Sequence, residues 1–324
     1  MDAIYMSFPE LTIVVPIFNT GILLEACVCS IVDQVAWHGC VLPEFEIMLV
    51  DDSSTDTTTR QLLKSLPATD RRIRVITNQG PHGAAGARNS GVEVARGEWI
   101  AFLDSDDTWS MDSIARRWCA LKALPDIQWI CGDWTQVWSD GSVGIAGQVT
   151  PRLSEMIRRP VNENEVRRLP KPVKLVLHHV LPWTGTVLVR KLAFEKAGGF
   201  RTDLKRAEDY DLWLRLAVQH DIGFVPGICA FYLQRENSLT ARGIEPSYRW
   251  AAIVLGSLIQ DSKFAEFRRE LQQRLIETSL NNCHEYRRNG QFGFALREAL
   301  RLLHTGVAPM AALRQAAAAL LRRD

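Results

Sequence analysis

The chain has 324 residues, with 38 Lys and Arg against 37 Asp and Glu for a formal charge of +1, and is 47% hydrophobic and 23% charged. That length carries a large α/β domain with an appendage, or two domains, and the composition excludes wholesale disorder and collagen-like architecture. Near neutrality argues against the basic patch of a dedicated nucleic-acid binder, so no nucleic-acid partner is expected.

Short β-branched runs alternate with helical patterns over the first hundred residues. Leu11–Val15, Phe45–Val50, Ile73–Ile76 and Trp99–Leu103 read as buried strands, and Gly21–Val35, Asp56–Leu66 and Ala84–Ala95 as helices. Strand–helix–strand units of about thirty residues imply a parallel sheet with right-handed crossovers. Ser54 or Thr55 is placed to cap the second helix. Trp109–Leu124 reads as a helix closed by Pro125, and Ile127–Val137 and Gly144–Val149 as strands around a Ser139-Asp140-Gly141 turn. Residues 150–174, with four prolines and many charges, read as a mobile surface segment. Thr184–Val189 reads as a strand and Ala207–Gln219 as a helix.

From about Pro246 the pattern is helical only, with Phe292, Leu296, Ala299, Leu300 and Leu303 on one face. The net charge is −3 over residues 1–244 and +4 over 245–324. These helices suit a solvated face, a homo-oligomer contact or peripheral docking on an anionic membrane surface. The expected division is 1–110, 111–244 and 245–324.

Seven scattered cysteines without a CxxC pair predict reduced thiols in a cytoplasmic protein. Residues 1–10 lack a signal-peptide pattern, and the apolar run Trp250–Ile259 is too short to span a bilayer.

Acids cluster after strands. Asp51-Asp52 follows the second strand, and Asp104-Ser105-Asp106-Asp107 the fourth. Ligands of an open parallel sheet bind outside the carboxyl ends of its strands, so both clusters project toward one edge. Three carboxylates within four residues repel one another unless a cation neutralises them, and dense oxygen donors suit Mg²⁺ or Mn²⁺. The glycine-rich stretch Gly80–Gly91 invites a dinucleotide-binding reading, but Gly80, Gly83 and Gly86 lack the tight G-x-G turn and follow the third strand rather than the first. An oxidoreductase is therefore only a distant alternative. The stretch still allows close backbone approach to a ligand, with Arg88 supplying positive charge.

The ordered pieces TIVVPIFN, FEIMLVDDSSTDTT, GAAGARNSGVEVARGEWIAFLDSDD, GGF and AEDYDLWLRLA resemble the inverting glycosyltransferases of family 2, over roughly residues 11–240. The resemblance implies a GT-A fold: a Rossmann-like nucleotide-binding half joined to an acceptor-binding half, here followed by an all-helical extension. It implies a nucleoside-diphosphate-sugar donor, a UDP-sugar foremost, with Pro16, Phe18 and Asn19 lining the base pocket. Asp52 would bind the base with Asp51 beside it, and Arg88 would sit near the donor. Asp104-Ser105-Asp106 matches the DxD motif, with Asp104 toward ribose or sugar and Asp106 on Mn²⁺ or Mg²⁺. Glu208-Asp209 matches the ED motif, with Asp209 as general base. Trp183-Thr184-Gly185 lies where acceptor contacts fall. Many members carry Tyr at the position of Phe18, and a Tyr-Arg-x-His run where this chain reads Tyr232-Leu233-Gln234-Arg235, followed by Ser238-Leu239-Thr240. A guanidinium cannot ligate a metal but clamps phosphate oxygens, so Arg235 is assigned to the donor diphosphate. The implied activity is metal-dependent inverting transfer to a hydroxyl of a glycan or lipid-linked saccharide, at the inner face of the plasma membrane or in the cytoplasm. The rival reading is a non-catalytic nucleotide-sugar-binding or scaffolding member of the same fold.

Overall fold

The computed structural model describes residues 9–144, 147–157, 161, 166–235 and 248–322. The chain divides into two compact units, residues 1–202 with 212–235, and residues 203–211 with 236–324.

In chain order the elements are β1 (Leu11–Ile17), α1 (Leu23–Val32), β2 (Phe45–Asp51), α2 (Thr57–Ser65), β3 (Ile73–Thr77), α3 (Ala84–Glu93), β4 (Trp99–Phe102), β5 (Thr108–Trp109) and α4 (Ser113–Ala123). There follow β6 (Trp129–Trp138), α5 (Thr150–Met156), β7 (Arg167–Leu169), α6 (Val173–Leu177), β8 (Leu188–Arg190), α7 (Lys191–Lys196), α8 (Glu208–Ala217) and β9 (Ile222–Gln234). Helices α9 (Tyr248–Leu258), α10 (Arg268–Arg288), α11 (Phe292–His304) and α12 (Pro309–Leu320) complete the chain.

The first unit is built on a nine-stranded mixed sheet of order β3-β2-β1-β4-β8-β6-β9-β5, with β7 pairing β9. Strands β1 to β4 are mutually parallel where they pair. β1 and β4 are buried along their whole length and β2 along nearly all of it, which is why they read as continuous apolar runs rather than alternating ones. The chain runs outward from β1 through β2 to β3 and then returns to place β4 on the other side of β1. That reversal is a topological switch point, and it opens a crevice at the carboxyl ends of β1 and β4.

Helix α3 lies close against this sheet. A Cβ on Gly91 would stand 2.4 Å from Val14 Cγ1 and 3.0 Å from Val50 Cγ2, so only glycine lets the helix settle on β1 and β2. The opposite, amino-terminal edge is closed by the buried carboxylate of Glu46, which accepts hydrogen bonds from Thr12 Oγ1, Arg96 N and Arg96 Nε at 2.8 Å each. Burial pushes this carboxyl up, but the bonds from Arg96, Thr12 and Arg74 outweigh burial and hold it below its usual range.

Several local expectations are corrected. Asp56 itself caps α2, accepting the Thr59 N–H at 2.8 Å, in place of Ser54 or Thr55. Residues 184–186 form a 3₁₀ turn, and the strand starts at Leu188. Gly144 and residues 147–149 are not a strand: the Asp133 carboxylate gathers the N–H groups of Gln148, Val149 and Thr150 at 2.7–2.8 Å and turns the chain into α5. The described part of 150–174 holds α5, β7 and the start of α6. Cys40 and Cys119 are disulfide-bonded across 79 residues, whereas Cys27, Cys29, Cys131, Cys229 and Cys283 are free. Fully reduced thiols therefore do not describe this chain.

The second unit is helical. Leu271, Leu275, Ala299 and Leu302 are buried in it, Tyr286 stacks on Phe294 with centroids 5.3 Å apart, and buried Glu298 accepts a hydrogen bond from Arg301 at 2.7 Å. No helix among the described residues is long and apolar enough to cross a membrane. The fold is thus α/β with a C-terminal helical extension.

Replacing Gly91 with Val forces α3 off β1 and β2. We expect a loss of about 1–3 kcal/mol, read as a lower urea midpoint at unchanged slope. An unaltered midpoint contradicts this packing.

Candidate active site

The crevice is furnished by four segments that leave the sheet at its carboxyl edge. After β1, Phe18 is 60% exposed, whereas Pro16 is buried in the strand opposite Val50. Asn19 adopts φ 49°, and its carboxamide oxygen accepts the N–H groups of Thr55 and Asp56 at 2.7 and 3.1 Å. These bonds pin the β1 loop to the β2 loop and leave the Phe18 ring open to solvent. After β2, Asp51 Oδ1 accepts Ser54 N at 3.0 Å.

Asp52 is buried and organises the third segment. Its Oδ2 accepts Gly83 N at 2.7 Å, its Oδ1 accepts Asn78 Nδ2 at 2.6 Å, and His82 Nδ1 lies 3.1 Å from the same Oδ1. The loop must be glycine-rich because a Cβ on Gly86 would fall 1.8 Å from the Pro81 carbonyl oxygen. Asp52 thereby sets the start of α3, and α3 sets Arg88.

The acid cluster leaves β4 between these segments. Thr20 Oγ1 and Ser105 Oγ are 2.6 Å apart, a bond directly across the switch point. Asp104 is half exposed and accepts Arg88 Nη2 at 2.5 Å; Arg88 is only 4% exposed, with its guanidinium 5.3 Å from the centre of the Phe200 ring. Asp106 pairs with Arg235, which follows the last residue of β9. Asp107, 1% exposed, accepts Leu233 N at 2.9 Å, while its Oδ2 is buried without a hydrogen-bond partner. Burial and then the charge on Asp104 push the Asp106 carboxyl above its usual range, with Arg235 pulling the other way. Burial, Asp106 and Asp104 push Asp107 up further. The loop therefore holds more negative charge than its surroundings solvate.

That excess is the test of fit for a divalent cation. No group of three or more His, Cys, Asp and Glu converges as a metal site among the described residues. Mg²⁺ is commonly held by one or two carboxylates plus substrate phosphates, and the partly exposed oxygens of Asp104 and Asp106 meet that requirement. The donor set fits a cation whose shell a diphosphate completes.

Trp183 is half buried and packs against Trp134 and Tyr232, with centroids 5.2 and 5.6 Å away. Thr184 and Gly185 are buried behind it. Thr184 Oγ1 accepts Trp213 Nε1 at 3.3 Å, and the Gly185 carbonyl accepts Trp109 Nε1 at 2.6 Å. Glu208 and Asp209 stand in the first turn of α8 and belong to the second unit, where Asp209 Oδ1 accepts Tyr210 N at 2.7 Å. Ser238 to Thr240 lie outside the described residues. Reasoning from sequence gave no role to Thr20, Asn78 or Trp134 and counted Asp107 only as one acid of the cluster; nothing in the run Asp104–Asp107 marks its last acid as the one that ties down β9.

A cavity of about 510 Å³ lined by Leu42, Phe45, Asp70 and Arg72 lies at the amino-terminal edge of β2. There Arg72 is paired with Asp70 at 2.6 Å and stacked on Phe45, so the convergent chemistry is at the other edge.

Comparison with known proteins bears on the family and the fold. Residues 12–132 match the family model described as Glycosyl transferase family 2. The chain is 38% identical over 109 residues to TuaG of Bacillus subtilis, whose name provisionally assigns it to teichuronic acid biosynthesis; the match covers 34% of this chain and 40% of TuaG. It is 26% identical over 257 residues to the UDP-Glc:alpha-D-GlcNAc-diphosphoundecaprenol beta-1,3-glucosyltransferase WfgD of Escherichia coli, covering 77% of this chain and 87% of WfgD. In structure it is similar to TarS 1–349 of S. aureus in complex with UDP-GlcNAc, at TM-score 0.67 and 16% identity, over 96% of this chain and 89% of that one. The fold is GT-A.

If Asp52 organises the 78–83 loop, Asp52→Ala strands the donors of Asn78 and Gly83. We expect about 2–3 kcal/mol of destabilisation in chemical denaturation. A variant as stable as the parent contradicts that role.

Proposed function

We propose that this chain, whose residues 12–132 match the Glycosyl transferase family 2 model, transfers a sugar with inversion from a nucleoside-diphosphate donor to a hydroxyl of a glycan or lipid-linked saccharide. The carrying observation is the meeting of the Phe18 loop, the Asp104–Asp107 loop and Arg88 at the switch point. An α/β sheet offers ligands its natural seat there.

Phe18 provides a solvent-open ring for the base to stack on, with Asn19, Asp51 and Asp52 beside it and Pro16 buried in the strand behind. Arg88, fixed by burial, holds Asp104 in place beside the ribose or sugar, with Ser105 tied to Thr20. Asp106, with Asp104, would hold Mn²⁺ or Mg²⁺, which when bound supplies positive charge against the departing diphosphate. Arg235 adds a guanidinium whose fork matches phosphate oxygens. Asp209, with Glu208 beside it, takes the proton of the acceptor hydroxyl as attack proceeds on the face opposite the leaving group. Microscopically this is one displacement, so the anomeric configuration inverts. The diphosphate leaves without needing a proton from the protein.

The names UDP-Glc and UDP-GlcNAc among the relatives support a UDP-sugar donor, and the diphosphoundecaprenol in WfgD's name supports a lipid-linked acceptor. For the acceptor we assign the half-buried rings of Trp183, Trp134 and Tyr232, which offer an apolar platform to a pyranose. The +4 charge of residues 245–324 and the exposed Leu300, Met310, Leu313 and Leu320 suit approach to an anionic membrane surface where such an acceptor is anchored.

Asp209→Asn separates chemistry from binding. We expect sugar transfer to fall about 10²–10⁴-fold while UDP affinity is kept. Undiminished transfer rules out Asp209 as the base. A parent protein that binds UDP yet turns over no donor in a nucleotide-sugar panel identifies the non-catalytic alternative.

A further inference from the structure

The two arginines at the acid cluster are held differently. Arg88 is almost wholly buried on α3, and its side chain is 5% exposed against Asp104. Arg235 stands two residues beyond Leu233, the point where Asp107 anchors the end of β9, and its side chain is 36% exposed. Arg88 is therefore part of the wall, whereas Arg235 is a charged arm on a short fixed tether. Its guanidinium rests on Asp106 Oδ2, the carboxylate assigned to the divalent cation.

Asp106 Oδ2 cannot serve both groups at once, because an oxygen covered by a guanidinium is not presented to a metal ion. Charge counting shows how the conflict resolves. The Asp106–Arg235 pair is neutral, and so is the doubly esterified diphosphate of a nucleotide sugar, of charge −2, with a cation of charge +2. Exchanging partners leaves Asp106 facing the cation and Arg235 facing the phosphates, with no net charge moved into the crevice. Either newcomer alone does worse: the cation strands Arg235, and the nucleotide draws Arg235 away from a carboxylate left uncompensated.

We propose that Arg235 is the displaceable counter-cation of Asp106, so that divalent cation and nucleoside diphosphate enter by a mutual exchange of partners and bind with positive coupling. The proposal rests on the donor-site reading above and assigns no bond-making step to Arg235, which acts as a positioning residue. Coupling of this kind is reciprocal: each ligand tightens the other by the same factor.

The test measures Mn²⁺ alone, by the electron paramagnetic resonance signal of the free ion, and then Mn²⁺ with UDP, neither requiring turnover. For the parent protein we expect weak binding of Mn²⁺ alone and a tightening of at least fivefold when UDP is present. Arg235→Met should bind Mn²⁺ alone roughly two- to fivefold more tightly, as removal of a partly exposed competing charge predicts, and show a smaller UDP-dependent gain. Arg235→Lys, which restores a cation without the fork, should fall between. In an Asp106→Asn background the Arg235→Met effect should vanish, whereas a diffuse charge effect would persist. Unchanged or weaker Mn²⁺ binding by Arg235→Met overturns the proposal, as does an undiminished effect in the Asp106→Asn background. Failure of the parent to bind UDP at all would instead strike the donor-site reading, leaving the Mn²⁺ comparison to judge the exchange on its own.

Discussion

Three carboxylates compressed into the four residues Asp104–Asp107 impose the constraint around which the first unit is arranged. At about 4 Å and an effective dielectric constant of about 20, each uncompensated pair of like charges costs on the order of 4 kcal/mol. The fold meets that cost from three directions. Arg88 arrives from α3, Leu233 N from the end of β9, and Arg235 from the residue after it. Because α3 packs on β1 and β2 while β9 pairs β6, the loop ties the parallel half of the sheet to the mixed half. A loop that were merely a turn would not need partners from both.

The same constraint explains why the position of α3 matters so much. Gly91 lets the helix touch the sheet, Gly86 lets its leading loop fold back on Pro81, and Asp52 fixes the N–H of its N-cap residue, Gly83. These details at the helix start are what place the Arg88 guanidinium 2.5 Å from Asp104. Arg235 owes its place instead to the anchored end of a strand, which is why one arginine is built in and the other is free to exchange.

Much of this was legible beforehand, for a physical reason. Buried parallel strands are continuous apolar runs, so Leu11–Val15 and Phe45–Val50 predict β1 and β2 to within two residues, and the acids beyond them were placed at the right edge of the sheet. The roles proposed for Asp104, Asp106 and Asp209 rest on the family resemblance, since spacing alone only marks them as acids after a strand or in a helix turn. What stayed hidden depends on distant partners. Cys40 and Cys119 meet across 79 residues, the chain turns into α5 on the Asp133 carboxylate, and Thr184 and Gly185 are claimed by two tryptophan N–H groups. Asp107 differs from its neighbours only in what lies above it. No local pattern reports that.

The central claim is that the switch point between β1 and β4 is the donor seat. A crystal structure of the protein soaked with UDP and Mn²⁺ tests it most directly. The account predicts the uracil against Phe18, the diphosphate at the Asp104–Asp106 loop with Mn²⁺ on Asp106, and Arg235 turned from Asp106 to a phosphate oxygen. A nucleotide seated at any other edge of the sheet, or one whose diphosphate leaves the acid cluster untouched, would contradict it.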